Sequence, residues 1–420
     1  AVSVLTGHRA AGVPRPVVVV GRDTRPSGEL LEAAVVAGLA AAGADVRRMG
    51  VVPTPAVAFA VADSGADLGV VLSASHNPMP DNGIKLFGPG GLKLPDDVED
   101  AIEARLSAPR AAHRPTGADV GRVRDDPELV DRYVEHLLAA LPAPLDGLRV
   151  VVDCAQGAAS AIAPDVLRKA GADVVPLHCD GLGLRINAGC GATHLDPLRA
   201  TVLEHRAHAG IAYDGDADRC LAVDATGRVV DGDQILALCA LALRERGALP
   251  GDAVVATVMA NLGFRQAMRD AGIRVVETPV GDRYVLEAMR ADGVALGGEQ
   301  SGHVVFLAEA TTGDGLLTAL HVLGRMADTG RPLADLAAVM RRLPQVLLNV
   351  RVADRARATT SAEVAAGLAA ARAELGEAGR VLLRPSGTEP VVRVMVEAPT
   401  ARRARAVAGR LAGLVERAGA

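Results

Sequence analysis

Short apolar runs alternate with amphipathic stretches along most of this chain, and the alternation restarts after Pro/Gly-rich junctions. Val17-Val18-Val19-Val20, after Pro16, has the continuous apolar character of a buried strand and runs into the polar turn Gly21-Arg22-Asp23-Thr24-Arg25. A helix is predicted from about Ser27 to Ala42, and the unit repeats through the strand Val70-Val71-Leu72. The junction Leu141-Pro142-Ala143-Pro144-Leu145-Asp146-Gly147 precedes a new strand from Leu148 to Asp153 with its own turn at Gly157. A second break, Gly247-Ala248-Leu249-Pro250-Gly251, precedes the strand from Ala253 to Val258, and a third falls at Leu343-Pro344. Beyond it the pattern changes. Strands at Val346 to Val352, Val381 to Leu383 and Val391 to Glu397 are interleaved with helices across Ser361 to Leu375 and Ala401 to Ala418. The pattern predicts α/β domains of similar size over residues 1–145, 146–248 and 249–342, and a smaller α+β domain with antiparallel pairing over 343–420.

Composition narrows the class. At 420 residues the chain is too long for one ordinary core, so two to four domains are expected. With 50% hydrophobic and 23% charged residues it has the balance of a soluble globular protein. A net charge of −5 provides no electrostatic footprint for nucleic acid, and 2% aromatic residues provide no stacking platform, so nucleic acid is excluded as a partner. No apolar run is long enough to span a bilayer, and no charged stretch followed by an apolar core opens the chain. The five cysteines are odd in number and form no CxxC pair, so spacing indicates neither a disulfide framework nor a structural zinc site; a reducing cytoplasm is the expected location.

Four loops carry the chemistry. The stretch Val70 to Gly91 sets Ser75, His76 and Lys85 in a Gly/Pro-rich loop behind an apolar strand. Lys85 is one of only three lysines, with Lys93 and Lys169. Arginine cannot exchange protons near neutral pH, whereas a partly buried lysine with a lowered pKa can act as acid or base. Asp214-Gly215-Asp216-Ala217-Asp218-Arg219 places three carboxylates at alternate positions of a tight turn. Like charges so close repel unless a cation neutralises them, and a set of hard oxygens without histidine or thiolate favours Mg²⁺. An EF-hand is excluded, because Arg219 stands where the loop's glycine belongs. Gly297-Gly298-Glu299-Gln300-Ser301-Gly302-His303 lets the backbone approach a ligand, and Glu299 and Ser301 offer the acceptor and donor that sugar hydroxyls require. Leu383-Arg384-Pro385-Ser386-Gly387-Thr388-Glu389-Pro390, with Arg393, has the guanidinium groups, hydroxyls and turn N–H groups of a phosphate cradle, although it is not a Walker loop. A nucleophile, a divalent metal, a sugar contact and a phosphate clamp together describe phosphoryl transfer on a sugar phosphate.

In this order the four loops resemble the α-D-phosphohexomutase superfamily from about Pro16 to Ala398, and within it the phosphoglucosamine mutase branch. Gln300 in the sugar loop, Asn187-Ala188-Gly189-Cys190-Gly191-Ala192-Thr193-His194 and Val280-Gly281-Asp282-Arg283-Tyr284 carry the branch resemblance. The resemblance implies four domains around a central cleft, a phosphoserine at Ser75, and one Mg²⁺ held by Asp214, Asp216, Asp218 and a phosphate oxygen on Ser75. It implies interconversion of glucosamine 6-phosphate and glucosamine 1-phosphate through a 1,6-bisphosphate, for amino-sugar nucleotide and cell-wall precursor synthesis, with glucose or glucosamine 1,6-bisphosphate as activator. Lys85 and His303 match acid/base positions, and His76 stands beside the phosphoserine. Arg219, Arg283, Glu299 and Ser301 match substrate contacts, and Arg384, Ser386, Gly387, Thr388 and Arg393 the distal phosphate site. The family's opening strand and Thr-Asp-Gly-x-Arg-Gly loop have no counterpart before Pro16, so a few tens of residues of the family's start are expected to be missing, and Leu195 replaces a proline common in the branch. Phosphomannomutase or phosphoglucomutase activity and a non-catalytic sugar-phosphate binder are the alternatives. A haloacid-dehalogenase-like phosphatase is disfavoured, because Ala217-Asp218 lacks the Thr or Val expected after Asp214-Gly215-Asp216. The oligomeric state stays open between monomer and homodimer.

Overall fold

The computed structural model describes residues 15–106, 115–386 and 390–419. The chain divides into two compact units, one within Ala1–Met259 and Ile273–Val339, the other formed by Ala260–Gly272 and Met340–Ala420.

The first unit contains three sheets. β1 (Val17–Arg22), β2 (Asp45–Val51), β3 (Leu68–Leu72), β4 (Ile84–Gly88), β5 (Leu92–Lys93) and β6 (Val123–Asp125) form a six-stranded sheet of order β5-β4-β3-β1-β2-β6. β1 runs parallel to β2 and β3, whereas β4 turns back antiparallel to β3. β7 (Arg149–Asp153), β8 (Asp173–Leu177), β9 (Ala209–Tyr213), β10 (Cys220–Asp224) and β11 (Val229–Val230) form a five-stranded sheet of order β11-β10-β9-β7-β8, with β9 and β10 antiparallel. β12 (Ala253–Thr257), β13 (Arg274–Thr278), β14 (Leu296–Gly298) and β15 (Val304–Phe306) form a four-stranded sheet of order β13-β12-β14-β15. All three sheets are mixed. Their central strands are buried on both faces, as the unbroken runs Val18–Val20, Val150–Val152 and Ala253–Ala256 require.

In the second unit β16 (Gln345–Arg351), β17 (Arg380–Pro385) and β18 (Val391–Glu397) form an antiparallel sheet of order β16-β18-β17. Val350, Val392, Val394 and Val396 of this sheet pack with Val407, Leu411 and Val415 of the helix Ala401–Gly419. The helix Leu262–Asp270 belongs to this unit: Asn261 caps it by accepting from Gly263 N, and its side-chain amide donates to Leu343 O and Glu397 Oε1.

Two elements depart from the sequence pattern. Lys85 lies on strand β4 opposite Val71, because Ile84-Lys85-Leu86-Phe87 can pair along the edge of β3. A short helix Arg355–Thr360, capped by Asp354, precedes the predicted one; its Arg-Ala-Arg-Ala-Thr-Thr sequence has no apolar stripe that would announce it.

Candidate active site

Ser75 follows β3 with φ +51, a left-handed conformation uncommon for a residue with a side chain. The surroundings enforce it. Ser75 N donates to Ser73 Oγ at 2.9 Å, and Ser73 Oγ donates to the buried Asp23 at 2.7 Å. Arg25, 2% exposed, pairs with Asp23 and donates to the five carbonyls of Ser75, Asn77, Pro78, Met79 and Asp81. Asn187 adds two bonds from its side-chain amide, to Ser75 O at 2.8 Å and Asn77 O at 3.0 Å. The serine loop is therefore held almost wholly through its backbone, which leaves Oγ free to point elsewhere.

Oγ points at the acidic loop, donating to Asp214 Oδ2 at 2.7 Å, with His76 Nδ1 3.4 Å away. That loop leaves β9 and returns on β10. Gly215 admits the close approach, since a Cβ there would lie 2.5 Å from Ser75 O. Asp214, Asp216 and Asp218 are buried, and ligand oxygens of the three lie within 4.8 Å of one another. Asp216 Oδ1 and Asp218 Oδ1 have no hydrogen-bond partner. Buried carboxylate oxygens without donors are costly unless a cation faces them, so the donor set fits a hard divalent metal. Thr54, which opens the helix Thr54–Ser64, hydrogen-bonds Asp216 through both its backbone N–H and its hydroxyl.

Lys85 Nζ bonds Asp216 Oδ2 at 2.6 Å and Asp218 Oδ2 at 3.2 Å. Burial presses its pKa down, but the charges of Asp216 and Asp218 outweigh it and hold the amine above its ordinary value. The direction is opposite to the lowered pKa expected from the sequence, because Lys85 is paired with two carboxylates. Burial, reinforced by the charges of Asp218 and Asp216, holds Asp214 well above the usual carboxylate range. Asp218 goes the other way, because Lys85, His303 and Arg219 outweigh its burial. Burial and the Arg219 charge lower the His76 pKa. Arg219 lies beside this loop, its Nε 3.8 Å from Asp218 Oδ1.

The sugar-type loop docks on the start of β10. Cys220 N donates to Gly302 O at 2.9 Å, and Gly315 N, at the start of the helix Gly315–Thr329, donates to Ala217 O at 3.0 Å. His303 receives an N–H from Gly313 at Nε2, which stands 3.7 Å from Asp282 Oδ2, while its Nδ1 has no protein partner. Ser301 Oγ is also buried and unpartnered, and Glu299 Oε1 accepts from Gly281 N. Arg283 donates to Leu94 O and Glu99 Oε2, both at 2.9 Å. In the second unit Arg384 and Arg393 are directly opposed on β17 and β18, and Ser386 is buried at the strand end. Gly387 and Thr388 lie outside the described residues.

Comparison with known proteins agrees with this geometry. Sequence models described as phosphoglucomutase/phosphomannomutase alpha/beta/alpha domains I, II and III match residues 3–113, 131–227 and 231–343, and the C-terminal domain matches 347–414. Phosphoglucosamine mutase of Frankia casuarinae is 71% identical across 100% of this chain and 92% of its own length, and that of Frankia alni is 72% identical across 96% and 89%. The chain belongs to the α-D-phosphohexomutase superfamily, in its phosphoglucosamine mutase branch. It is thereby an isomerase of the intramolecular phosphotransferase class. Among solved structures, a phosphoglucomutase/phosphomannomutase family protein from Burkholderia thailandensis superposes with a TM-score of 0.79 at 26% identity, covering 99% of this chain and 92% of that one. No helix of the described residues is long and apolar enough to cross a membrane.

Sequence reasoning named the phosphohexomutase loops but not Arg25, Thr54 or the amide role of Asn187. The turn Gly21–Arg25 and the segment beginning at Asn187 were visible as motifs, yet their partners lie about fifty to one hundred and sixty residues away in sequence.

Proposed function

We propose that this chain interconverts glucosamine 6-phosphate and glucosamine 1-phosphate through a phosphoserine at Ser75 and a 1,6-bisphosphate intermediate. The observation that carries the reading is Ser75 Oγ bonded at 2.7 Å to one of three clustered carboxylates, two of which keep an unpartnered oxygen. The names of the Frankia relatives support the hexosamine substrate over a mannose or glucose phosphate. Each of the segments 1–145, 146–248, 249–342 and 343–420 is taken to contribute one loop.

In this reading Asp214, Asp216 and Asp218, with an oxygen of the Ser75 phosphate, would hold one Mg²⁺, which would supply positive charge to offset that on the transferring phosphoryl group. Ser75 carries that group to the free hydroxyl of the bound sugar phosphate; the bisphosphate then turns over and returns its other phosphoryl group to Ser75. Lys85 supplies a fixed positive charge beside the transferred group. His76, next to Oγ, carries the serine proton between half-reactions, and His303 exchanges the proton of the sugar hydroxyl through Nδ1. Glu299 and Ser301 contact the sugar, Arg219 and Arg283 assist substrate binding, and Arg384, Ser386, Gly387, Thr388 and Arg393 hold the second phosphate. Arg384 and Arg393 face each other in register across β17 and β18, which places two guanidinium-bearing positions together and supports that role. Glucose or glucosamine 1,6-bisphosphate would charge Ser75, and a reducing cytoplasm suits the five free thiols.

The test is direct: glucosamine 6-phosphate, Mg²⁺ and a catalytic amount of glucose 1,6-bisphosphate are mixed with enzyme and followed by phosphorus NMR. Growth of glucosamine 1-phosphate, faster than the mannose and glucose reactions, is expected. Faster turnover of either hexose phosphate would reassign the substrate, and no turnover of any would favour a non-catalytic binder.

A further inference from the structure

A second cluster of metal-ligating groups lies in the first unit apart from the acidic loop. Asp153 ends β7, His178 follows β8, and Cys190 lies in the segment between Asn187 and Gly191; one donor atom of each lies within 4.8 Å of the other two. The donors are an oxygen, a nitrogen and a sulfur, contributed from positions 25 and 12 residues apart, so no CxxC-like spacing marks them in the sequence.

The details favour a ligand set over a hydrogen-bond network. His178 Nδ1 is closed off from solvent and stands 3.1 Å from Asp153 Oδ2 without forming a hydrogen bond. Cys190, 1% exposed, makes a long 3.9 Å contact to Arg185 O and accepts a backbone hydrogen bond from Asn187. Asp153 is already fixed, Oδ1 accepting from Ala155 N and Oδ2 from Gly191 N, both at 2.9 Å, which orients its remaining lone pairs as a second sphere orients a metal ligand. Backbone strain concentrates here as well. Ala155, Gln156, His178 and Asn187 are four of the eight non-glycine residues with positive φ among the described residues. Strain of this kind persists where the surroundings over-determine it, and it gathers at binding sites. The partly exposed imidazole edge of His178 gives an ion a way in.

We propose that Asp153, His178 and Cys190 form a binding site for a thiophilic divalent cation such as Zn²⁺, with solvent as fourth ligand. A mixed oxygen, nitrogen and thiolate set suits zinc and disfavours Mg²⁺, so the two sites discriminate by donor softness. On binding, the Cys190 thiol proton passes to solvent and a thiolate–metal bond forms. The ion would staple the ends of β7 and β8 to the segment whose Asn187 amide holds the carbonyls of Ser75 and Asn77, linking occupancy to the order of the serine loop.

Co²⁺ is the probe, titrated into the full chain in excess Mg²⁺ so that the acidic loop is filled. The parent should develop a near-ultraviolet thiolate-to-cobalt charge-transfer band that Zn²⁺ bleaches, and Zn²⁺ should raise the thermal midpoint. Cys190→Ser should abolish the band, His178→Ala should weaken cobalt affinity by at least about 10-fold, and Cys239→Ser, buried in the helix Gly232–Glu245, should change neither. A parent without the band, a band that survives Cys190→Ser, or unchanged affinity in His178→Ala would overturn the proposal. If Cys190→Ser fails to fold, the half-exposed His178→Ala decides alone.

Discussion

Arg25 and Lys85 show at the residue scale how one cationic side chain can serve a loop or a site. Arg25 neutralises the buried Asp23 and supplies the N–H groups for five carbonyls of the serine loop. Arg25→Met removes both and leaves a buried carboxylate unpaired, which costs about 3–5 kcal/mol. Urea unfolding should show a loss of that size, together with slower phosphorylation of Ser75; a loss below about 1 kcal/mol would mean the carbonyls have other donors. Lys85 contacts two of the metal-type carboxylates as an ammonium. If it acts as a fixed charge, Lys85→Ala loses on the order of 10²-fold in kcat while Lys85→Arg stays within about 10-fold. An arginine variant as crippled as the alanine one would instead assign Lys85 a proton-transfer role. The rarity of lysine drew attention to the right residue, yet its charge state was not legible, because the two aspartates that set it stand more than 130 positions away.

At the scale of elements, strands and local loops were readable and cross-element bonds were not. β1, β7 and β12 follow from unbroken apolar runs and β18 from a run interrupted only by Arg393, and the three aspartates are visible because one turn carries them all. Nothing local announces Asp314. It caps the helix Gly315–Thr329 through Leu317 N and accepts from Tyr133 OH of the helix Glu128–Ala139. Burial pushes its carboxyl up to about 6 despite both bonds. The folded chain therefore binds this proton more tightly than the unfolded chain, whose aspartate titrates near its ordinary value. The resulting stabilisation is full below the unfolded pKa and is lost as pH rises through about 6. It amounts to about 3 kcal/mol at most. Unfolding free energies measured from pH 5 to 8 should fall more steeply for the parent than for Asp314→Asn. Parallel curves for the two proteins would contradict the assignment.

At the scale of the molecule, the chain combines a three-sheet unit that carries the serine, the acidic loop and the sugar-type loop with a smaller unit that carries the opposed arginines. The four-loop order was legible because each loop lies between two elements of its own sheet region. The metal reading predicts that phosphorylation of Ser75 adds an oxygen and negative charge to the carboxylate set, so Mg²⁺ should bind the phosphorylated chain more tightly; equal affinities by calorimetry would separate the serine from the metal. The central claim is that Ser75 itself carries the phosphoryl group in turnover. Peptide mass mapping after charging with glucose 1,6-bisphosphate, before and after adding glucosamine 6-phosphate, tests it most directly. The account predicts one phosphoryl group on Ser75, discharged by the sugar phosphate and absent from Ser75→Ala; a stable label on Ser73 or on an aspartate, or a phosphoserine that the sugar phosphate does not discharge, would contradict it.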